Sequence, residues 1–199
     1  MAAPSEPMLA LPSGERPRPK NLAPVGVALA GAGAIVGFGA LMAAYVNLRH
    51  FNQPWPPRGV RLVNYPATML VITALMGVAT AEWGTWAARR ELRGQAAAGF
   101  GFTIGFSLAF VNMLWFFGKG LKIGAASSPF ATLIYAVLAL GGVLALLGAG
   151  SQAAVLARVL ARMDRDLNLA AARAATLYWE FFFVSWLLVT QFVYRPVAF

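Results

Sequence analysis

The sequence predicts an all-α integral membrane bundle of five transmembrane helices, with the N-terminus inside and the C-terminus outside. Three observations predict it. Apolar residues make up 59% of the 199 and charged residues only 12%, about half the charge fraction of an average soluble domain. The charges are segmental, falling almost entirely in five short stretches and an N-terminal tail, with apolar runs of about 20 residues between them. A helix of that length, rising about 1.5 Å per residue, crosses ~30 Å of hydrocarbon with every backbone group satisfied internally. Finally, if five spans alternate in direction, the tail and segments 88–96 and 158–174 share one side and hold ten Lys and Arg, against six on the other. Positive residues favour the cytoplasmic side, which fixes the orientation. The runs lack the alternation of a membrane barrel strand.

Residues 1–22, "MAAPSEPMLALPSGERPRPKNL", are rich in Pro, Ser and charge and read as a disordered cytoplasmic tail, leaving 23–199 as the transmembrane domain. Arg16, Arg18 and Lys20 before an apolar stretch also suit a signal peptide. That stretch is too long for the usual signal core, so it reads as a retained anchor.

The first span covers 25–47 and contains "GAGAIVG", which is one residue off a dinucleotide fingerprint and lies inside a span rather than after a strand. Its Gly33 and Gly37 suit close helix approach in lipid instead. Beyond it lie Arg49 and the chain's single histidine, His50, then a loop with Trp55 and Arg58. One histidine cannot form a bis-histidine haem site or a binuclear metal centre. The second span, 67–87, carries Glu82, Trp83 and Trp86 and runs into Arg89. The third, 97–118, repeats the small-residue spacing at Gly101 and Gly105 and ends near Trp115.

The fourth span, 128–157, holds Gly141, Gly142, Gly148 and Gly150. The stretch "ARVLARMDRDLNLAAARAATL" continues from it without Gly or Pro, predicting a helix that projects from the bilayer. The fifth span, 175–194, opens on "YWEFFFVSW", with Glu180 among aromatics. Tyr178, Trp179, Trp83, Trp86, Trp115 and Tyr194 suit interfacial belts.

Glu82 and Glu180 are placed about two turns and one turn from their loops. Carboxylates inside spans are costly and often mark proton or ion routes. The structural alternative is pairing with Arg173, Arg89 or Arg90, or hydrogen bonding to Trp or Tyr. Neither span has the series of ionisable groups expected of a pump. With no cysteine, disulfides, thiolate metal sites and cysteine nucleophiles are excluded. The net charge of +9 is accounted for by juxtamembrane arginines facing anionic lipid, without a nucleic-acid partner.

Four segments together resemble subunit III of the cytochrome c oxidase (haem–copper oxidase) family. "AAYVNLRHFNQPWPPRGV" (43–60) has a span ending A-A-Y-x-x-L-R followed by a W-P-P-x-G loop. "NYPATMLVITALMGVATAEWGTWAARRELRG" (64–94) is similar to a family helix that begins with Asn and closes on a basic run. "SSPFATLIYAVLALGGVLALLGAG" (127–150) resembles the family's S-P-x-x-x-x-x-Y stretch. In "YWEFFFVSW", Tyr178, Trp179, Phe181, Val184 and Trp186 match a segment the family writes Y-W-H-F-V-D-V-V-W.

The resemblance spans about residues 25–195 in family order and fits the shorter, five-helix form. It implies a noncatalytic subunit of a bacterial oxidase, packed on subunit I in a complex with subunit II. It also implies bound phospholipid and support of proton uptake and enzyme lifetime in aerobic electron transport. This chain would bind no cofactor, haem and copper belonging to its partners, and it would lie in the bacterial plasma membrane. The departures are polar residues: the family's helix glutamate falls at or near Ala34, its two helix histidines near Gly141 and Leu144, and its last-helix His and Asp at Glu180 and Phe183. Three alternatives stay open: an accessory subunit of a nitric oxide reductase, a small transporter using Glu82, Glu180, Asn112 and Gln191, and a structural subunit of a respiratory supercomplex.

Overall fold

Local chemistry sets where each helix stops. In the computed structural model, which describes residues 22–58, 60, 64–161 and 165–194, with side chains over 25–58, 60, 66–161 and 169–193, the elements are five α-helices. They are α1 (Leu22–Phe51), α2 (Asn64–Arg89), α3 (Arg93–Gly120), α4 (Pro129–Leu160) and α5 (Arg165–Tyr194). All five are long and apolar enough to cross a membrane, and there is no strand among the described residues. The chain is a multi-pass, all-helical membrane protein. Of the tail expected at 1–22, residues 1–21 lie outside the described residues, and Leu22 already belongs to α1.

The side chains of Asn52 and Gln53 take up the carbonyls of Leu48 and Arg49 as α1 ends. Between α2 and α3 the reversal needs only three residues; Glu91 adopts a φ of 60°, and the Leu92 amide donates to the Ala87 carbonyl at 3.0 Å. Ser128 caps α4 by accepting from the Ala131 amide at 3.2 Å, with Pro129 in the first turn where no amide is needed. Tyr135 ties the preceding loop down by donating to the carbonyls of Gly118 and Ile123, both at 3.0 Å.

The fourth run does not project as one continuous helix. It ends at Leu160, and α5 starts at Arg165, ten residues before the expected fifth span. At that end Arg93 of α3 donates to the carbonyls of Val159 and Leu160. Those carbonyls would otherwise serve the next turn of a continuing helix. Early in α5, Ala172, Ala174 and Ala175 are buried rather than projecting, with Ala172 and Ala175 packed beside Ala96, Phe100 and Val159.

Helices α2, α3, α4 and α5 form an antiparallel four-helix ring, and α1 lies outside it, against α5 and lightly against α4. Helix α1 runs parallel to α5, since Gly31 faces Phe181 and Phe38 meets Trp186. The ring's centre is aromatic: Phe110 meets Phe182 and Trp186 edge-on at 5.1 and 5.0 Å, and Trp179 stacks on Phe182 at 5.0 Å.

Close approach is needed at particular glycines. A Cβ on Gly99 would lie 2.6 Å from the Gly84 Cα, so α2 and α3 touch backbone to backbone. On Gly141 it would lie 2.6 Å from Trp186, and on Gly148 2.9 Å from Trp179. The pairs Gly33/Gly37 and Gly101/Gly105, expected to bring helices together, face open space within this chain, as does Gly150. Four-residue spacing marks a smooth stripe without saying which helix meets it.

Candidate functional site: one arginine between two intramembrane glutamates

In lipid, polar side chains on neighbouring helices are driven to find each other. Thr80 and Thr103 meet in this way across α2 and α3, at 2.9 Å, and the charged groups meet along the contact of α2 with α5. Arg173 of α5 donates to Glu82 Oε1 of α2 at 2.7 Å, and the same nitrogen lies 3.6 Å from Oε1 of Glu180, about two turns further along α5. The pairing expected for both glutamates is therefore with Arg173, and one cation serves two carboxylates. None of the three is fully covered; their side chains are 39% (Arg173), 44% (Glu82) and 33% (Glu180) exposed.

The two acids come from different distances along their helices. Glu82 lies about two turns from Arg89, as its sequence position implied. Glu180, by contrast, is not one turn from a loop. The apolar part of α5 runs Leu169–Val193, which puts Glu180 near its middle, about three turns from the nearer end. It is the carboxylate that Arg173 holds at the longer distance, and it lies against the Glu82 carboxyl.

Beneath the ions runs a second polar layer that the sequence reading did not single out. The hydroxyls of Thr85 and Thr176 meet at 2.8 Å, and Thr176 also reaches the Ala81 carbonyl at 3.3 Å. That arrangement has Thr85 donating to Thr176 and Thr176 donating to α2. Across the ring, the buried Gln152 donates to the Ala175 carbonyl at 3.2 Å while its Oε1 has no protein partner. The available signal was Thr85 lying three residues after Glu82, on the same helix face.

Trp179 departs from the interfacial role expected of it. It is wholly buried, its Nε1 donates to the Ala74 carbonyl at 3.1 Å, and it is clasped between Gly77 and Gly148. Tyr178 turns inward too, donating to the Leu144 carbonyl at 2.7 Å. Trp83, Trp86 and Trp115 are exposed. Arg90 lies over the Trp86 ring at 4.5 Å and Lys119 over Trp115 at 4.9 Å, the pairing of ring and cation that suits a membrane surface.

At the other end of the bundle, Trp55 packs edge-on between Tyr45 and Phe130, beside an open cavity of about 400 Å³ that Arg58 also lines. Arg89 is exposed and acts on Glu82 through charge at longer range than Arg173. His50 is exposed beside Phe51.

Among positions where the resemblance loses polar groups, Gly141 is covered by the Trp186 ring and offers no room for a side chain. Leu144 contributes its carbonyl to Tyr178, and Phe183 packs on the core. Glu180 alone keeps a charge. The cluster can hold charge, exchange a proton or pair with a further cation; among the described residues no group of three His, Cys, Asp or Glu side chains is placed to hold a metal. No protein-family model and no curated protein matches the chain.

Proposed function

We propose that the chain is a noncatalytic accessory subunit of a bacterial aa3-type cytochrome c oxidase. It packs on subunit I beside subunit II in the plasma membrane, with the N-terminus inside and the C-terminus outside. It holds phospholipid against its apolar faces and sustains proton uptake and enzyme lifetime during oxygen reduction. Haem and copper, with the oxygen chemistry, belong to the partners.

The observation that carries this reading is the order of the four segments 43–60, 64–94, 127–150 and 178–186, which follow the subunit III pattern within a chain of five spans. The uneven placement of Lys and Arg supports the orientation. The test is isolation in mild detergent from the native membrane. Co-migration with haem a and copper is expected, and a colourless, monodisperse chain overturns the proposal.

A second reading, an accessory subunit of a nitric oxide reductase, is favoured by one observation. The side chains that the oxidase family keeps polar are apolar or absent at Ala34, Gly141, Leu144 and Phe183. Co-migration with haem b and nonhaem iron would select it.

A further inference from the structure

The end of the bundle away from Arg173 is short of acid. Helix order gathers there the C-terminal ends of α1, α3 and α5 and the N-terminal ends of α2 and α4. The stretches of sequence at and beyond those ends are 48–66, 117–131 and 190–199. They hold Arg49, Arg58, Arg61, Lys119, Lys122 and Arg195 and no Asp or Glu, all seven acidic residues falling elsewhere. Lys and Arg at a bilayer surface attract anionic lipid, and at this end no carboxylate side chain competes for them.

One of these cations stands at the mouth of a groove. Between the last turns of α3 and the first turns of α4 lies an open cavity of about 420 Å³, lined by apolar side chains with Lys119 as its only charged group. Glycine keeps it open: a Cβ on Gly142 would meet only Leu114, at 3.8 Å. Along α3 the lining runs from Val111 to Lys119, about 12 Å, which is most of one leaflet's share of the ~30 Å hydrocarbon core. Lys119 lies one residue from the end of the α3 span, with its ammonium over the Trp115 ring at 4.9 Å. Lys122 follows on a turn closed by its amide on the Lys119 carbonyl at 3.4 Å. Tyr135, from the groove wall, holds that turn through the carbonyls of Gly118 and Ile123.

We infer that the α3–α4 groove is a binding site for one anionic phospholipid, with an acyl chain along the groove and the headgroup phosphate at Lys119. Two features select this occupant. The groove is apolar for about the depth of one leaflet and cationic only at its mouth, the reverse image of a lipid with an anionic head. A zwitterionic lipid would also bring an ammonium group to an end of the bundle that has no Asp or Glu to receive it. The larger groove between α1 and α5, about 570 Å³, has no charged side chain in its lining and so no means of choosing a headgroup. The inference rests on the lipid-holding part of the proposed function and does not require an oxidase.

The test delipidates the full chain and reconstitutes it in nanodiscs of equal phosphatidylglycerol and phosphatidylcholine, with retained lipid identified by native mass spectrometry. One phosphatidylglycerol should be held in about fivefold preference over phosphatidylcholine, the effect of one cation near a membrane surface. Lys119→Gln should abolish the preference while a lipid is still retained, and Lys119→Arg should keep it. Gly142→Leu, which fills the groove without a clash at Cβ, should remove the retained lipid. Gly39→Leu, which meets open space in the α1–α5 groove, should not. Lys119 is exposed, so its variants read the site even where Gly142→Leu fails to fold. Excess inorganic phosphate should leave the lipid in place. Equal retention of both lipids by the parent, an unchanged preference in Lys119→Gln, or the same retention in folded Gly142→Leu as in Gly39→Leu would each overturn the inference. So would displacement by inorganic phosphate, or a co-purified protein in place of lipid. A chain that holds phosphatidylglycerol without co-migrating haem a supports this site and rejects the oxidase; one that co-migrates with haem a but shows no lipid preference rejects the site alone.

Discussion

Replacing Gly77 by alanine should test whether Trp179 is a fixed wedge or an adaptable filler. The added Cβ would sit 2.5 Å from Trp179 Cε2 and 2.7 Å from Cζ2, where unstrained carbon contacts need about 3.5–4.0 Å. A shift of about 1 Å is thus required of the ring or of α2. The ring cannot supply it cheaply. Its Nε1 is bound to the Ala74 carbonyl, Gly148 of α4 lies behind it, and Phe182 stacks on one face. Forcing a methyl into such a core costs about 1–3 kcal/mol, and loss of the indole hydrogen bond adds about 1 kcal/mol. The expected destabilisation is therefore about 2–4 kcal/mol. The assay is reversible unfolding in mixed detergent micelles followed by tryptophan fluorescence. Gly33→Ala and Gly105→Ala, which meet open space, serve as controls and should stay within about 0.5 kcal/mol of the parent. Adding Trp179→Phe to Gly77→Ala removes the clashing atoms, so the two costs should be strongly non-additive. Equal stability of Gly77→Ala and Gly33→Ala, or simple additivity with Trp179→Phe, would refute the wedge.

Arg173→Met leaves two carboxylates without their common cation, and should destabilise the chain by about 1.5–3 kcal/mol, more than Glu82→Gln or Glu180→Gln does. The same unfolding assay ranks them, and an Arg173→Met variant no weaker than Glu82→Gln would remove the shared-cation account. Thr85→Val keeps shape and loses one interhelical hydrogen bond, worth about 0.6 kcal/mol in a membrane bundle. In a double-mutant cycle with Thr176→Val the coupling should be of that size, and zero coupling would show that the hydroxyls do not pair. Arg93→Ala exposes the carbonyls of Val159 and Leu160 at the end of α4. Amide exchange over residues 155–161 should quicken while α1 is unaffected, as read by hydrogen exchange with mass spectrometry.

The five spans were legible because lipid imposes a single rule on every helix, a sustained apolar run, and hydropathy measures that directly. The start of α5 was not legible by the same rule. Its first turns carry Arg165, Asp166, Asn168 and Arg173, so hydropathy places the span at 175. Those turns are nevertheless helical, held by an Ala-rich face that packs on α3 and α4. The stretch reads as an extension of α4 because it holds no Gly or Pro, and the Arg93 bonds at the end of α4 come from a residue 66 positions away in sequence. The misplaced start then made Glu180 too shallow and Trp179 interfacial. Arg173 was readable as a partner by charge alone. That it serves both glutamates depends on α2 and α5 being neighbours, which no local pattern encodes.

The contact of α2 with α5 combines close fit with several polar pairs. Between helices in lipid there is no hydrophobic gain, so register must come from shape and from polar pairs. The α2–α5 contact has both: the Gly77–Trp179 fit, the indole bond to Ala74, the threonine pair and the shared arginine lie along it. A slide of one turn between the helices would break all four together. The contact of α1 with α5 has only shape, at Gly31 with Phe181 and Phe38 with Trp186, and no interhelical hydrogen bond joins the two among the described residues. Helix α1 can therefore move against α5 at lower cost than any helix of the ring.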